Sequence, residues 1–154
     1  MTTKGRYRSC APADVAAVVR QARIGLGIPT HRFTSMRLKI LQSYLDAKSP
    51  ISAYGLPAIL GLSTRSGMMG IYRALDFLEE VGAIHRIQLL GSFVVCRQWG
   101  RDHTPIMLIC TACENVEEFV SDATIATLDD DVRAVRFQSR RATIELRGLC
   151  AACH

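Results

Sequence analysis

Residues 68–96 read MMGIYRALDFLEEVGAIHRIQLLGSFVVC, and the spacing of apolar side chains changes partway along this stretch. From residue 68, apolar side chains recur at steps of three, four and three residues, which predicts an amphipathic helix that ends at Gly82. Residues 83–88 and 92–96 are instead short runs rich in β-forming residues, which predict two strands of a hairpin. The stretch therefore predicts a helix followed directly by a β-hairpin.

Shorter helical patterns precede this stretch. One begins at Asp14, a residue suited to the N-cap position, and a second follows Thr34. Ser52 is a candidate cap for a short third helix, and residues 61–67, rich in Gly, Ser and Thr, predict a turn. Helices followed by a hairpin are the order of a winged helix-turn-helix, in which the last helix lies in the DNA major groove.

A second unit follows a polar linker at residues 98–105. Its patterns predict strands at 106–110, 116–120 and 143–146 and a helix at about 122–135. About 50 residues bury too little core to be stable alone, so this unit needs a metal, a partner chain or both. The predicted fold class is α+β, divided into a winged-helix DNA-binding domain at 1–97 with a loose basic tail at 1–12, a hinge at 98–105, and a small C-terminal α/β domain at 106–154.

Charge is distributed unevenly along the 154 residues. Residues 1–97 contain 13 basic and 5 acidic side chains, a balance of +8, whereas residues 98–154 contain 6 basic and 9 acidic ones, a balance of −3. A basic half indicates a polyanionic partner such as nucleic acid, although a solvated basic surface is the alternative. The composition, 49% hydrophobic and 21% charged, excludes a disordered, collagen-like or heptad-dominated chain.

The sequence contains no pattern typical of a signal peptide or a membrane span. The basic N-terminus is not followed by an apolar core, and the longest apolar runs have the length of a strand. We therefore expect a cytoplasmic protein that has no contact with a membrane. In a reducing compartment, closely spaced cysteines more often bind metal or carry out redox chemistry than form structural disulfides.

Two Cys-x-x-Cys knuckles are the strongest chemical signal in the sequence. Cys110 and Cys113 form the first, and Cys150 and Cys153 form the second, close to the end of the chain. Two such pairs deliver four thiolates to one tetrahedral zinc ion, which stabilises a small unit by joining its ends. The alternatives are a pair of disulfides or a redox pair, but the βαβ unit that usually carries a thioredoxin-like motif is absent from the pattern.

A second, looser set of metal-binding residue types consists of His85, Cys96, His103 and Glu118. An ion held by all four would bridge the two units, since two of these residues belong to the hairpin, one to the linker and one to a strand of the second unit. Their spacing does not by itself indicate a site. Each also has an ordinary structural interpretation as a packed or surface histidine, a small core residue or a solvated carboxylate.

Several motifs resemble the ferric uptake regulator family, and within it they most resemble the zinc uptake regulator branch. They are Ser52-Ala-Tyr-Gly, the run IYRALDFLEEVGAIHR at 71–86, HTPIMLICTAC at 103–113 and GLCAAC at 148–153. The resemblance covers about residues 13–153, with both knuckles in the expected order.

The resemblance implies a homodimeric transcriptional repressor with an N-terminal winged helix and a C-terminal dimerisation domain. It implies one structural Zn²⁺ on the four knuckle cysteines and one regulatory Zn²⁺ on His85, Cys96, His103 and Glu118 of each chain. The expected function is therefore repression of zinc uptake genes by zinc-dependent binding to a palindromic DNA operator. A thiolate with imidazoles and one carboxylate favours zinc over iron or manganese.

Arg73 is the best candidate for reading a base, because it lies off the apolar face of its helix and Arg commonly contacts guanine. An ion pair with Asp76 is its alternative role. Arg65 is a candidate phosphate contact, and the resemblance implies that Tyr54 contacts DNA, with half-buried packing as the alternative for Tyr54. Tyr72 and Phe77 are predicted to belong to the core. The competing hypotheses are a family member that responds to another metal or to peroxide, and a zinc or thiol enzyme. No catalytic zinc motif is found, so we expect no enzyme activity.

Overall fold

The structure is a computed structural model that describes residues 14–100, 102–139 and 142–154, without the side chains of residues 64–66. The predicted basic tail at 1–12 lies outside the described residues. None of the helices in this described part is long and apolar enough to cross a membrane.

The N-terminal half contains four helices that lead to the hairpin. Asp14 caps the first helix as predicted, with its Oδ1 accepting a hydrogen bond from the Ala17 N–H at 2.7 Å. Gly27, in the left-handed conformation at φ +64°, ends that helix. The helices are α1 (Val15–Leu26), α2 (Ser35–Asp46), α3 (Leu56–Leu60) and α4 (Thr64–Glu80).

A three-stranded antiparallel sheet completes this half. Strands β2 (Ile84–Ile87) and β3 (Ser92–Val95) form the predicted hairpin, which we call the wing, and β1 (Ile51–Ser52) pairs with the other edge of β3. A 3-10 turn at Gln88–Leu90 joins the two wing strands. The predicted winged helix-turn-helix is thus confirmed.

Two local predictions are wrong. Helix α4 begins at Thr64, within the segment predicted to be a turn, because α3 ends at the left-handed Gly61 and nothing after Ser63 interrupts a helix. Adding a turn to an existing helix is cheaper than starting a new one, so α4 extends through Gly67. Ser52 belongs to β1 and does not cap a helix, although its Oγ accepts a hydrogen bond from the Gly55 N–H at 3.2 Å.

The main core lies between the helices and the first sheet. Phe33 and Phe77 pack edge to face with ring centroids 5.2 Å apart, and the Arg37 guanidinium lies 3.8 Å from the Phe77 centroid. The fully buried members include Val18, Ala22, Ile40, Leu41, Leu56, Ile71, Leu75, Leu78 and Ile84.

The second sheet contains β4 (Ile106–Cys110), β5 (Val116–Phe119) and β6 (Ile144–Gly148) in the order β5-β4-β6. Strand β4 pairs antiparallel with β5 and parallel with β6, and the crossover carries α5 (Asp122–Ala134). Within the described residues, α5 buries none of its side chains, while Val135, Phe137, Leu146 and Leu149 are exposed. This apolar surface is what a small unit that needs a partner chain would present.

A second, smaller core joins the wing to the second sheet. Ile87 of the wing packs with Met107 and Ile109 of β4, and all three are buried. Leu90, Val94 and Val116 pack around them and are partly buried. We call this cluster the wing core. The C-terminal sheet therefore obtains apolar burial from the wing, in addition to any metal or partner chain.

Candidate metal centres and nucleic-acid surface

The two knuckles meet at one end of the second sheet. The first begins at the last residue of β4, and the second follows β6, which lies beside β4. This parallel pairing is the reason why pairs distant in sequence become neighbours. The sulfurs of Cys110, Cys113, Cys150 and Cys153 all lie within 4.8 Å of one another.

The distances fit metal ligation and do not fit disulfides. The sulfurs of Cys113 and Cys150 are 3.8 Å apart, far beyond the roughly 2.05 Å of a disulfide bond. The described cysteines form no disulfide. Four sulfurs at this spacing are the donor set of a structural zinc site.

The backbone of the knuckles prepares one thiol for deprotonation. The N–H of Cys150 points to the Cys110 sulfur at 3.4 Å. This hydrogen bond, with those from the N–H groups of Cys113 and Ala112, lowers the pKa of Cys110 to about 6. The neighbouring sulfurs raise the pKa of Cys153 to about 12, because a second thiolate is disfavoured beside the first. A divalent cation removes that conflict.

The second cluster lies where the wing meets the C-terminal sheet. His85 belongs to β2, Cys96 follows β3, His103 precedes β4, and Glu118 belongs to β5. Their ligand atoms all lie within 4.8 Å of one another. The structure thus brings together four residues whose separation in sequence gave no sign of a common site.

Glu118 is the centre of this cluster. Its Oε1 lies 2.8 Å from His103 Nε2, 3.5 Å from His85 Nε2 and 3.9 Å from Cys96 Sγ. Its Oε2 accepts a hydrogen bond from the Arg97 N–H at 2.6 Å. This backbone donor, which has no sequence signal, orients the carboxylate in the way that outer-shell partners orient metal ligands.

The two acidic groups of the cluster, the Glu118 carboxyl and the Cys96 thiol, have opposite pKa shifts. Burial alone would raise the pKa of Glu118, but the hydrogen bond with His103, together with His85 and the Arg97 N–H, lowers it to about 2. Burial, followed by the Glu118 charge, raises the pKa of the Cys96 thiol. Without a cation, the carboxylate is therefore charged and the thiol is neutral.

The donor set fits a zinc ion. His85 Nε2 is buried and has no hydrogen-bond partner within the described part of the chain, so the cluster leaves an acceptor or donor unsatisfied. One sulfur, two imidazoles and one carboxylate are a mixed N/S/O set that suits zinc. An open cleft of about 780 Å³, lined in part by His85, Cys96 and His103, connects the cluster with solvent.

The predicted DNA-contacting residues lie on the helical side of the winged helix. Arg73 is exposed on α4 and makes no ion pair with any described residue; Asp76, its predicted alternative partner, instead lies 3.9 Å from Arg86. Tyr54 is 78% exposed in the turn before α3. Arg65 lies in the first turn of α4, and its side chain lies outside the described part of the structure.

One residue of this surface, Tyr72, is predicted from the sequence to lie in the core. The Tyr72 side chain is only partly buried against the main core. A hydrogen bond with Tyr54 raises the pKa of Tyr72. The two tyrosines are therefore one surface pair, and periodicity cannot reveal a hydroxyl contact between residues 18 positions apart.

Known proteins resemble this chain over most of its length. The model of the Ferric uptake regulator family matches residues 30–147. The zinc uptake regulation protein of Escherichia coli (strain K12) is 34% identical over 124 residues, which cover 79% of this chain and 72% of that protein.

Solved structures give the same result. The crystal structure of holo XcZur has a TM-score of 0.78 at 31% identity, covering 90% of this chain and 94% of that one. A zinc uptake regulator complexed with zinc and DNA has the same TM-score and identity, covering 90% and 93%. The protein therefore belongs to the ferric uptake regulator family, as its motifs predict.

Proposed function

We propose that this protein is a zinc-responsive transcriptional repressor that binds a palindromic operator as a homodimer and controls zinc uptake genes in the cytoplasm. The observation that carries the proposal is the convergence of His85, Cys96, His103 and Glu118 at the junction between the wing and the C-terminal sheet. The matching zinc uptake regulators, one of them in complex with zinc and DNA, support it.

The two clusters have different proposed roles, with one zinc ion in each. The four knuckle cysteines form the structural site, since they join strands of one sheet and a segment close to the end of the chain. The other four residues form the regulatory site, since they come from both units and from the hinge between them. In this proposal residues 1–97 are the DNA-binding domain, 98–105 the hinge and 106–154 the dimerisation domain.

The regulatory residues act by holding the wing. A zinc ion held by these residues would supply a divalent charge, which would favour the Cys96 thiolate and satisfy the buried His85 Nε2. His85 lies on β2 of the wing and Cys96 directly follows β3, whereas Glu118 lies on β5 of the C-terminal sheet. When these residues are held together, the winged helix keeps one orientation relative to the C-terminal sheet. In a dimer, this orientation sets the separation between the two copies of α4. With zinc held there, the population would shift toward the DNA-competent arrangement.

The DNA-contacting residues complete the proposal. Exposed Arg73 reads a base from α4, Tyr54 contacts DNA beside it, and Arg65 contacts a phosphate. The exposed apolar side chains just after α5 and at the end of β6, which are Val135, Phe137, Leu146 and Leu149, are proposed as part of the dimer interface. The proposed role is regulatory and not enzymatic. A response to iron, manganese or peroxide is disfavoured because Cys96 gives the site a soft donor.

A zinc titration of operator binding tests this function. Fluorescence anisotropy of a labelled operator should show binding that rises with zinc in the wild-type protein. Cys96→Ser should lose this zinc dependence while it remains a folded dimer with zinc on the knuckles. Cys10→Ser, the matched control at the one cysteine with no proposed metal, should behave like wild type. Equal operator affinity with and without zinc in the wild-type protein would overturn the proposal.

A further inference from the structure

A carboxylate from β6 caps the turn at the tip of the wing. Glu145 Oε1 accepts a hydrogen bond from the Gln88 N–H at 2.6 Å, and its Oε2 accepts one from the Leu89 N–H at 3.0 Å. These residues are 57 and 56 positions apart in the sequence. The contact therefore joins the wing to the C-terminal sheet at a point that contains no metal ligand.

The turn needs a partner of this kind. The first N–H groups of a helical turn have no acceptor inside the turn, and they are usually satisfied by a side chain just before it. Ile87 occupies the N-cap position of this 3-10 turn and makes no side-chain cap hydrogen bond. Glu145 supplies both acceptors, and a charged acceptor forms stronger hydrogen bonds than a neutral one.

The strand pairing of Glu145 shows which part of the structure this contact holds in place. Met107 is paired with Glu145 on one side and with Glu118 on the other, so these three side chains lie on the same face of the sheet. That face packs against the wing through Met107 and Ile87. Apolar packing in the wing core has no direction, whereas two hydrogen bonds to defined N–H groups specify one orientation.

We propose that Glu145 is a positioning residue that holds the wing in the orientation required by the regulatory metal site. The inference rests on the proposed function. His85 lies on β2, three residues before Gln88, so a contact that holds the tip also holds this ligand near Glu118. The apparent affinity for a ligand falls in proportion to the fraction of protein in the competent arrangement. Loss of the Glu145 contact thus weakens zinc binding without removing a ligand.

The test compares Glu145→Ala and Glu145→Gln with wild type in the full-length zinc-loaded dimer. Chelator competition measures the affinity of the second zinc ion, and amide hydrogen exchange reports on Gln88 and Leu89. Glu145→Ala should lower the affinity for the second zinc ion about tenfold, which corresponds to the loss of one net charge-assisted hydrogen bond. It should also speed hydrogen exchange at both amides. Glu145→Gln, which keeps a neutral acceptor, should give an intermediate effect.

Glu117→Gln is the matched control, because it makes the same charge change on the other edge strand of the same sheet and its side chain is exposed. It should leave zinc affinity and both amides unchanged. Retention of the knuckle zinc and of the dimer shows that a variant is folded; if Glu145→Ala fails this check, Glu145→Gln decides.

Unchanged zinc affinity in a folded Glu145 variant, or unchanged exchange at Gln88 and Leu89, would overturn the inference. These outcomes differ from a failure of the proposed function, which would appear as operator binding by the wild-type protein that does not depend on zinc. If zinc regulates the wild-type protein and the variants match it, the inference alone fails.

Discussion

Truncation of Met107 to alanine tests whether the wing core contributes to stability. Met107 is fully buried between Ile87 and Ile109, and alanine removes most of its side chain. Such truncations cost about 2–5 kcal/mol in large cores. The wing core has only three buried members in the described structure and a partly exposed rim, so its surroundings can partly collapse into the space. We therefore expect the lower part of that range, about 2–3 kcal/mol.

Urea unfolding at fixed protein and zinc concentrations measures this loss, because both dimerisation and metal binding change apparent stability. Far-UV circular dichroism follows the whole chain, and Trp99, the single tryptophan, reports on the main core against which it packs. A loss of 2–3 kcal/mol lowers the midpoint by about 1 M for a typical dependence on urea.

Met69→Ala is the matched control, since Met69 is 65% exposed on α4 and loses the same atoms. It should change stability by less than about 0.5 kcal/mol. A Met107→Ala protein as stable as the Met69→Ala protein would refute the idea that the wing packs against the C-terminal sheet.

Three further predictions concern the metal, the DNA surface and the main core. Cys153→Ser leaves three thiolates for the structural ion, so metal analysis should show loss of the knuckle zinc. Size-exclusion chromatography should show a weakened dimer, and full retention of zinc would contradict the site. Arg73→Ala should weaken operator binding by about 1–3 kcal/mol in gel-shift titrations with zinc content unchanged, whereas an equal loss on unrelated DNA would indicate a phosphate contact. Phe77→Ala removes a buried ring that packs on Phe33 and should cost about 3–5 kcal/mol in thermal unfolding, and a loss under 1 kcal/mol would be inconsistent with this packing.

Local patterns were sufficient for most of the elements. The apolar period of α4, the β-rich runs of the wing and the Asp14 cap are properties of neighbouring residues, and each predicted element is present in the structure. The sequence does not predict the start of α4, because Gly and Ser lower helix propensity, whereas an established helix extends through such residues. The knuckle cluster was also predictable, because each Cys-x-x-Cys pair is local and both pairs suit one ion.

The winged helix, the second small unit and the cysteine donor set can be predicted from the amino-acid sequence, because they depend on periodicity and short spacing. Only the folded structure shows how the two units meet. It placed Glu118 against His103, Glu145 on the wing tip and Ile87 beside Met107. Such contacts join residues that are 15 to 57 positions apart in the sequence. They depend on the register of the sheets, which no short-range pattern encodes.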